Sequence, residues 1–182
     1  MSPSKQLTSS ALEALRAGKV AGAWTLDASK SEVRLATKSM WGLVPVKGVF
    51  RQVSGNAAVS ESVDVTGTVT VAAGSLDTKN AKRDEHLRSA DFFDTANHPD
   101  ITFTVSGITP STGGVTVTGR LTVRGRTAPV SFDAVVSSFD GDEAWLDGEL
   151  RLNRADFGMT WNQMGMAAMA STIIVHAVFT RQ

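Results

Sequence analysis

Val-Thr-Val-Thr-Gly-Arg-Leu-Thr-Val, residues 115–123, alternates apolar and polar side chains along its whole length, with Gly119 in the apolar phase. Such alternation indicates an antiparallel strand with one buried face and one solvated face. The same period of two recurs over residues 63–71, 101–106, 130–136, 144–153 and 173–179. Glycine-rich turn signals, such as Gly113-Gly114, separate these runs. The sequence therefore predicts a chain built mainly of antiparallel strands.

The length of the runs indicates how these strands are arranged. Runs of roughly 9–11 residues extend about 30–37 Å, and about eight of them must either close into a barrel or stack as a sandwich. Long strands joined by short hairpins favour the barrel. We therefore predict an all-β fold, an extended eight-stranded antiparallel lipocalin-like barrel, in which residues 32–40 and 46–59 form less regular strands.

Two segments lack the alternation and predict helices. Apolar residues near helical spacing, with Ser10 and Glu13 in a capping-box pattern, predict a short amphipathic helix over about residues 10–17. Gly18 stands where the C-terminal cap of this helix belongs. Residues 80–97 are densely charged and rich in helix formers, which predicts one or two helical turns plus a loop between two strands.

The domain boundary follows from this change of period. We divide the chain into an N-terminal helical extension, residues 1–22, and a β-barrel domain, residues 23–182. The segment Met1 to Gln6 carries one Lys and no apolar stretch follows it, so we expect no signal peptide and a cytoplasmic location.

Composition excludes several classes of function. Lys+Arg and Asp+Glu both number 18, and a net charge of zero argues against a nucleic-acid binder and against a polybasic membrane anchor. The absence of Cys excludes disulfides and thiolate zinc sites. No apolar run approaches the ~18 residues that a transmembrane helix needs. A barrel with an apolar outer face would suit an outer membrane, but the missing signal, few aromatic residues and short loops favour a soluble barrel with an apolar interior.

Small residues lie in phase with the apolar ones and suggest unfilled space inside the barrel. They are Gly67, Gly119, Ala134, Gly148 and Ala177. A small eight-stranded barrel is either filled by side chains or holds one ligand, and small inward residues favour the ligand. The alternative is that these glycines relieve crowding where the sheet coils sharply.

The segment GMTWNQMGMAAMA, residues 158–170, contains four methionines around Trp161. Methionine is flexible and polarisable, which suits a mobile apolar lid at the mouth of a cavity. A core-filling loop or a dimer contact are the alternatives. The basic residues Lys38, Lys47, Arg124 and Arg126 are either ordinary solvated side chains or a crown that holds a phosphate or carboxylate head group.

Other polar residues predict structural roles. The histidines His86, His98 and His176 lack the spacing of a helical zinc site, so we predict no metal site. Arg154 and Asp156 alternate onto one face of a strand, which predicts a structural salt bridge at its end.

The segment Arg83-Asp-Glu-His-Leu-Arg-Ser-Ala-Asp-Phe-Phe-Asp94, followed by Pro99 and Phe103, resembles the hallmark of the YceI-like family. Further matches lie at residues 24–27, 119–125 and 153–159, so the resemblance covers about Trp24 to Phe179. It implies a bacterial lipocalin-like barrel whose long apolar channel binds polyisoprenoids or other long-chain amphiphiles. It is also compatible with a homodimer, and many members of the family are periplasmic.

We therefore predict that the chain binds a long-chain apolar ligand, an isoprenoid or fatty-chain lipid, inside the barrel for transport or storage. We assign no catalytic residue and no cofactor apart from that lipid. The alternatives are a lipid-modifying enzyme in the same barrel, and a protein-interaction module with a packed barrel. The candidate ligand-binding residues are Trp41, Val69, Phe103, Val105, Val117, Gly119, Leu121, Phe132, Leu150, Met159, Trp161, Met164 and Met166.

Overall fold

The structure, a computed structural model, describes residues 3–182, with side chains described from residue 9 onward. Within that range, eleven strand segments form one antiparallel sheet. They are β1 (Gly22–Leu26), β2 (Glu32–Ser39), β3 (Val44–Phe50), β4 (Val53–Val59), β5 (Val65–Ala72), β6 (Leu76–Asp77), β7 (Asp100–Ser111), β8 (Gly114–Val123), β9 (Arg126–Phe139), β10 (Glu143–Asn153) and β11 (Ala170–Arg181).

The eleven segments make a closed barrel of eight strands. β1 and β2 pair one after the other with the last strand, at Trp24↔Arg181 and Ala36↔Thr172, so that the two segments act as a single bent strand. β3 with β4, and β5 with β6, form two more bent strands in the same way. β7 to β11 each form one strand, paired with their neighbours in chain order. The predicted eight-stranded antiparallel barrel is confirmed, and its first three strands are interrupted by short bends.

Different segments of the chain lie over the two ends of the barrel. At the helix end lie the connections 60–64, 112–113 and 140–142, together with helix α1 (Pro3–Arg16). At the connector end lie the turn 40–43, the segment 78–99 and the segment 154–169. Helix α2 (Ala81–Arg88) belongs to the second of these three segments.

Helix α1 begins earlier than the sequence pattern indicates. It starts at Pro3, a residue that fits the first turn of a helix, so Ser10 lies inside the helix and the predicted capping box is wrong. The predicted end is confirmed, because Gly18 adopts a left-handed φ of 69° and its N–H donates to the Leu15 carbonyl at 3.0 Å. Apolar side chains of α1 face the mouth of the barrel, and Leu12 packs against the interior cluster of β8 and β9.

The segment 80–97 contains the predicted helix and loop. The Asn80 side chain caps α2 by accepting a hydrogen bond from the Arg83 backbone N–H at 3.0 Å. Asp84 is buried and accepts a bond from the Thr78 backbone N–H at 3.0 Å. These bonds satisfy polar groups that a segment crossing the end of a barrel would otherwise bury unpaired. Among the described residues, no helix is long and apolar enough to span a membrane.

Candidate functional site: the barrel cavity

A cavity of about 680 Å³ occupies the inside of the barrel. Leu12 of α1 contributes to its wall at the helix end and Trp161 at the connector end, so the cavity extends between the two ends. The wall is aliphatic and aromatic along most of its length. The volume lies in the range of roughly 300–1,000 Å³ that is typical of small-molecule sites.

The cavity exists because the inward side chains do not fill the barrel equally on all sides. On β8, Val115 and Val117 point inward and are buried. On β10, Leu146 and Leu150 also line the cavity, but each remains partly accessible. An inward apolar side chain that is still accessible borders empty space rather than neighbouring side chains. The apolar surface on β10 is therefore available to a ligand.

Ten of the thirteen predicted ligand-binding residues lie in the cavity wall, and three do not. The ten are Val69, Phe103, Val105, Val117, Leu121, Phe132, Leu150, Met159, Trp161 and Met166. The three that lie outside the wall are Trp41, Gly119 and Met164.

Gly119 points inward but is covered by an aromatic ring. A Cβ atom built on Gly119 would lie 2.6 Å from Cζ of Phe103, so no open space remains over this glycine. The expectation that Gly119 leaves room for a ligand is therefore wrong, and the alternative of close packing applies. Gly148 does line the cavity, beside the ring of Phe132.

Trp41 and Met164 lie on the outside of the connector end. The Trp41 side chain is 63% exposed and Met164 is 80% exposed. The indole N–H of Trp41 donates to the Met164 carbonyl oxygen at 3.1 Å. Met159 and Met166 face the cavity instead, so the methionine-rich segment has an inner and an outer face.

Aromatic side chains line the cavity at the connector end. The Trp161 ring meets His86 edge-on, with 4.6 Å between the ring centroids, and lies 5.4 Å from the Phe92 ring. Such pairs add stability beyond the area they bury. The sequence pattern did not identify His86 and Phe92 as part of the wall, because they belong to a connector that has no strand periodicity.

Arg154 holds together the segment 154–169, which covers the connector end and which we call the cap. This buried guanidinium donates to three carbonyl oxygens, those of Met159 at 2.6 Å, Ala168 at 2.9 Å and Ala167 at 3.2 Å. Burial lowers the pKa of the guanidinium. These bonds tie Met159, in the first half of the segment 154–169, and Ala167 and Ala168, near its end, to one side chain.

The predicted salt bridge between Arg154 and Asp156 is wrong. Both residues belong to a 3-10 helix, Arg154–Phe157, rather than to a strand, so they do not share a strand face. Arg154 instead stacks its guanidinium over the Phe92 ring, 5.3 Å from the centroid. Among the described residues, no carboxylate forms an ion pair with it.

The titratable side chains of the cavity wall are all basic. They are Lys38, Arg83, His86 and Arg154, and no Asp or Glu contributes to the wall within the described part of the chain. All four lie at the connector end. Three cationic side chains, with no carboxylate among the described wall residues, favour a ligand whose polar group is anionic.

Of the predicted basic crown, only Lys38 contributes to the wall. Arg124 donates to the Gly158 carbonyl at 2.9 Å, and Arg126 packs against the same glycine. Both arginines therefore stabilise the chain outside the cavity, while Lys47 is exposed on β3.

The histidines are partners of single aspartates. His86 lies 2.8 Å from Asp91, and His176 lies 2.5 Å from Asp147. Throughout the described residues, no group of three potential metal-binding side chains comes together.

Comparison with known families gives one match that covers most of the chain. A family model described as the YceI-like domain matches residues 24–180. The chain is 32% identical to Protein YceI of Escherichia coli O17:K52:H18 over 136 residues, which is 70% of each chain. It is 34% identical to the UPF0312 protein ECA1782 of Pectobacterium atrosepticum over 146 residues, 74% of this chain and 73% of the relative.

Solved structures show the same fold. The crystal structure of BcnA from Burkholderia cenocepacia superposes with a TM-score of 0.76 at 26% identity, covering 84% of this chain and 98% of that one. A polyisoprenoid binding domain from Saccharophagus degradans, implicated in plant cell wall breakdown, superposes with a TM-score of 0.71 at 15% identity. That alignment covers 87% of this chain and 98% of the domain.

Proposed function

The chain belongs to the YceI-like domain family, and we propose that it binds one long-chain amphiphile, a polyisoprenoid or a fatty-chain lipid, for transport or storage. The apolar cavity of about 680 Å³ that extends between the two ends of the barrel is the observation that carries this proposal. The description of the Saccharophagus domain as polyisoprenoid-binding supports the ligand class.

The wall explains how such a ligand would be held. Burial of apolar surface is worth about 25 cal/mol per Å², or ~0.8 kcal/mol for each methylene. Each additional methylene should therefore tighten binding roughly fourfold until the cavity is full. A wall of this kind selects for length and hydrophobicity more than for the identity of the chain.

The basic side chains suggest the orientation of the ligand. Lys38, Arg83 and Arg154 lie at the connector end of the wall, whereas the helix end contributes apolar side chains such as Leu12. We place the polar group of the ligand at the connector end, where a phosphate or carboxylate would meet cations and displace water from them.

Native mass spectrometry of the protein purified from its own host tests this proposal. We expect a lipid-sized mass to accompany the wild-type chain. Leu150→Trp places a large ring in the cavity and should remove that mass. Arg151→Trp is the matched control, because Arg151 is the next residue and points to solvent.

Circular dichroism of both variants shows whether the barrel is folded. The proposal fails if folded Leu150→Trp protein carries the same lipid as wild type. It also fails if the wild-type protein is empty and takes up neither a fatty acid nor a prenyl alcohol added in solution.

A further inference from the structure

Large apolar side chains are exposed in one place at the connector end. Six such residues are exposed in the described chain, and five of them lie in the turn 40–43, at the adjoining start of β3, and in the 3-10 helix Gln163–Gly165. We call these five the apolar tip: Met40, Trp41, Leu43, Val44 and Met164. The sixth, Ile174, lies on the outer wall of the barrel. A contiguous group of exposed apolar residues marks an interaction surface.

The backbone of the apolar tip is held in an uncommon conformation. Met40, Trp41 and Gly42 are three successive residues with left-handed φ angles of 50°, 56° and 85°, and Met164 has a φ of 55°. Bulky residues rarely adopt this region, and such conformations persist only where the surroundings enforce them. The Trp41–Met164 hydrogen bond joins the two turns. The tip is therefore a built feature that directs apolar side chains outward.

The two segments that carry the apolar tip have charges of one sign. Residues 33–60 and 157–182, which contain the two turns of the tip, include no Asp or Glu. Lys38 and Lys47 flank the first turn, and both are exposed. In the described structure neither lysine forms an ion pair. Free lysines beside exposed apolar residues complement a surface of anionic lipid head groups.

The apolar tip is also continuous with the cavity. Met40 is exposed to solvent and at the same time lines the cavity wall, as does Lys38. The isolated bridge between Ser39 and Ala167 joins the rim to the segment that covers this end. A surface that met the tip would therefore lie against the rim of the cavity.

We propose that the apolar tip inserts into the surface of an anionic lipid bilayer. Trp41, Leu43 and Met164 enter the boundary between head groups and acyl chains, and Lys38 and Lys47 contact the head groups. Docking of this kind goes beyond the proposed function, because it needs no ligand in the barrel. If a ligand is bound, docking gives it a path between bilayer and cavity that avoids water.

A bilayer fits the tip better than a second copy of the chain. Standard protein interfaces use roughly 20–30 residues on each side and a broad matching surface. The tip offers five side chains on two projecting turns. Shallow insertion into a lipid surface requires only such a projection with basic residues at its edge.

Flotation with lipid vesicles tests the proposal. The vesicles contain phosphatidylcholine alone or with about 30% phosphatidylglycerol as the anionic lipid. We expect the wild-type protein to float with the anionic vesicles. The double variant Leu43→Ser, Met164→Ser should lower the partition coefficient at least tenfold, because two apolar side chains no longer enter the lipid. Ile174→Ser, the matched loss of an exposed apolar residue elsewhere, should leave it unchanged.

A charge variant and the cavity variant complete the test. Lys47→Glu should weaken binding to anionic vesicles and leave binding to neutral vesicles as it was. Leu150→Trp should still float, since an empty barrel keeps its tip, and this separates docking from the proposed function.

Three results would overturn the proposal: wild-type protein that floats with neither vesicle, a folded double variant that floats like wild type, or equal loss in Ile174→Ser. If the double variant instead converts a dimer to a monomer in sedimentation without affecting flotation, the tip is a contact between two copies.

Discussion

Replacing Arg154 with Met removes the cap's central cation while keeping a side chain of similar length. Three hydrogen bonds from a charged donor are lost, to carbonyls at 2.6, 2.9 and 3.2 Å. At about 1.5 kcal/mol each, the gross loss is roughly 4–5 kcal/mol. Part of it is offset, because a buried cation without an anionic partner is costly to keep desolvated. We expect a net loss of about 2–3 kcal/mol.

That loss is measurable as a change in melting temperature. In a domain of this size each kcal/mol lowers the Tm by roughly 2–4 °C, so Arg154→Met should melt about 4–12 °C below wild type. Its control is Arg151→Met, on the exposed side of β10, where the nearest carboxylate, that of Glu149, is 3.9 Å away. Exposed pairs contribute about 0–1 kcal/mol, so this variant should melt close to wild type.

The same variant should also release ligand faster. The segment 154–169 covers the connector end. Without Arg154, the backbone at Met159 and the backbone at Ala167 and Ala168 are no longer bound to one side chain. Stopped-flow release of a fluorescent fatty acid measures the dissociation rate. A folded Arg154→Met protein that melts within about 2 °C of wild type would refute the reasoning that these three bonds hold the cap.

Two further predictions concern the helix end and the bent third strand. Leu12 and Leu15 of α1 line the cavity, so Leu12→Ser with Leu15→Ser should speed both uptake and release of a fluorescent fatty acid, whereas Glu13→Ser, on the exposed side of α1, should leave both rates unchanged. In β6, the hydrogen bond from the Lys79 backbone N–H, with those from two basic side chains, lowers the pKa of the Asp77 carboxyl. A lowered pKa stabilises the fold above the unfolded pKa near 4, and this stabilisation falls as the pH drops below that value towards the folded pKa. The Tm deficit of Asp77→Asn at pH 7 should therefore shrink as the pH falls from about 4 to 2, and a deficit as large at pH 2 as at pH 7 would contradict this.

The sequence predicted the parts of the fold that depend on a period of two. Residues 115–123 appear as an uninterrupted strand with the expected inward face. The bends within the first three barrel strands could not be predicted, because a break such as residues 51–52 carries no distinctive composition. The barrel closure itself depends on pairing between the first and last strands, which no local pattern records.

The sequence predicted which strand side chains point into the barrel, but not which of them border the cavity. Alternation identified Gly119 as inward, but only the fold shows that Phe103 lies over it. Trp41 and Met164 sit in turns with positive φ angles, and these angles reverse the side on which a side chain emerges. Arg154 looked like a strand residue because the alternation of β10 runs up to it, and the 3-10 helix that follows changes its direction.

The barrel closes where β11 pairs with β1 and with β2, and this closure has a consequence for how the protein folds. Partners such as Trp24 and Arg181 lie near opposite ends of the chain, and loop closure over such a distance makes folding slow. During synthesis, β10 and the first strand both expose unpaired edges until residues 170–181 have left the ribosome. Unpaired edges recruit other chains. The last strand therefore protects the nascent chain from aggregation as well as completing the wall, and a chain truncated before β11 should aggregate rather than fold as a smaller barrel.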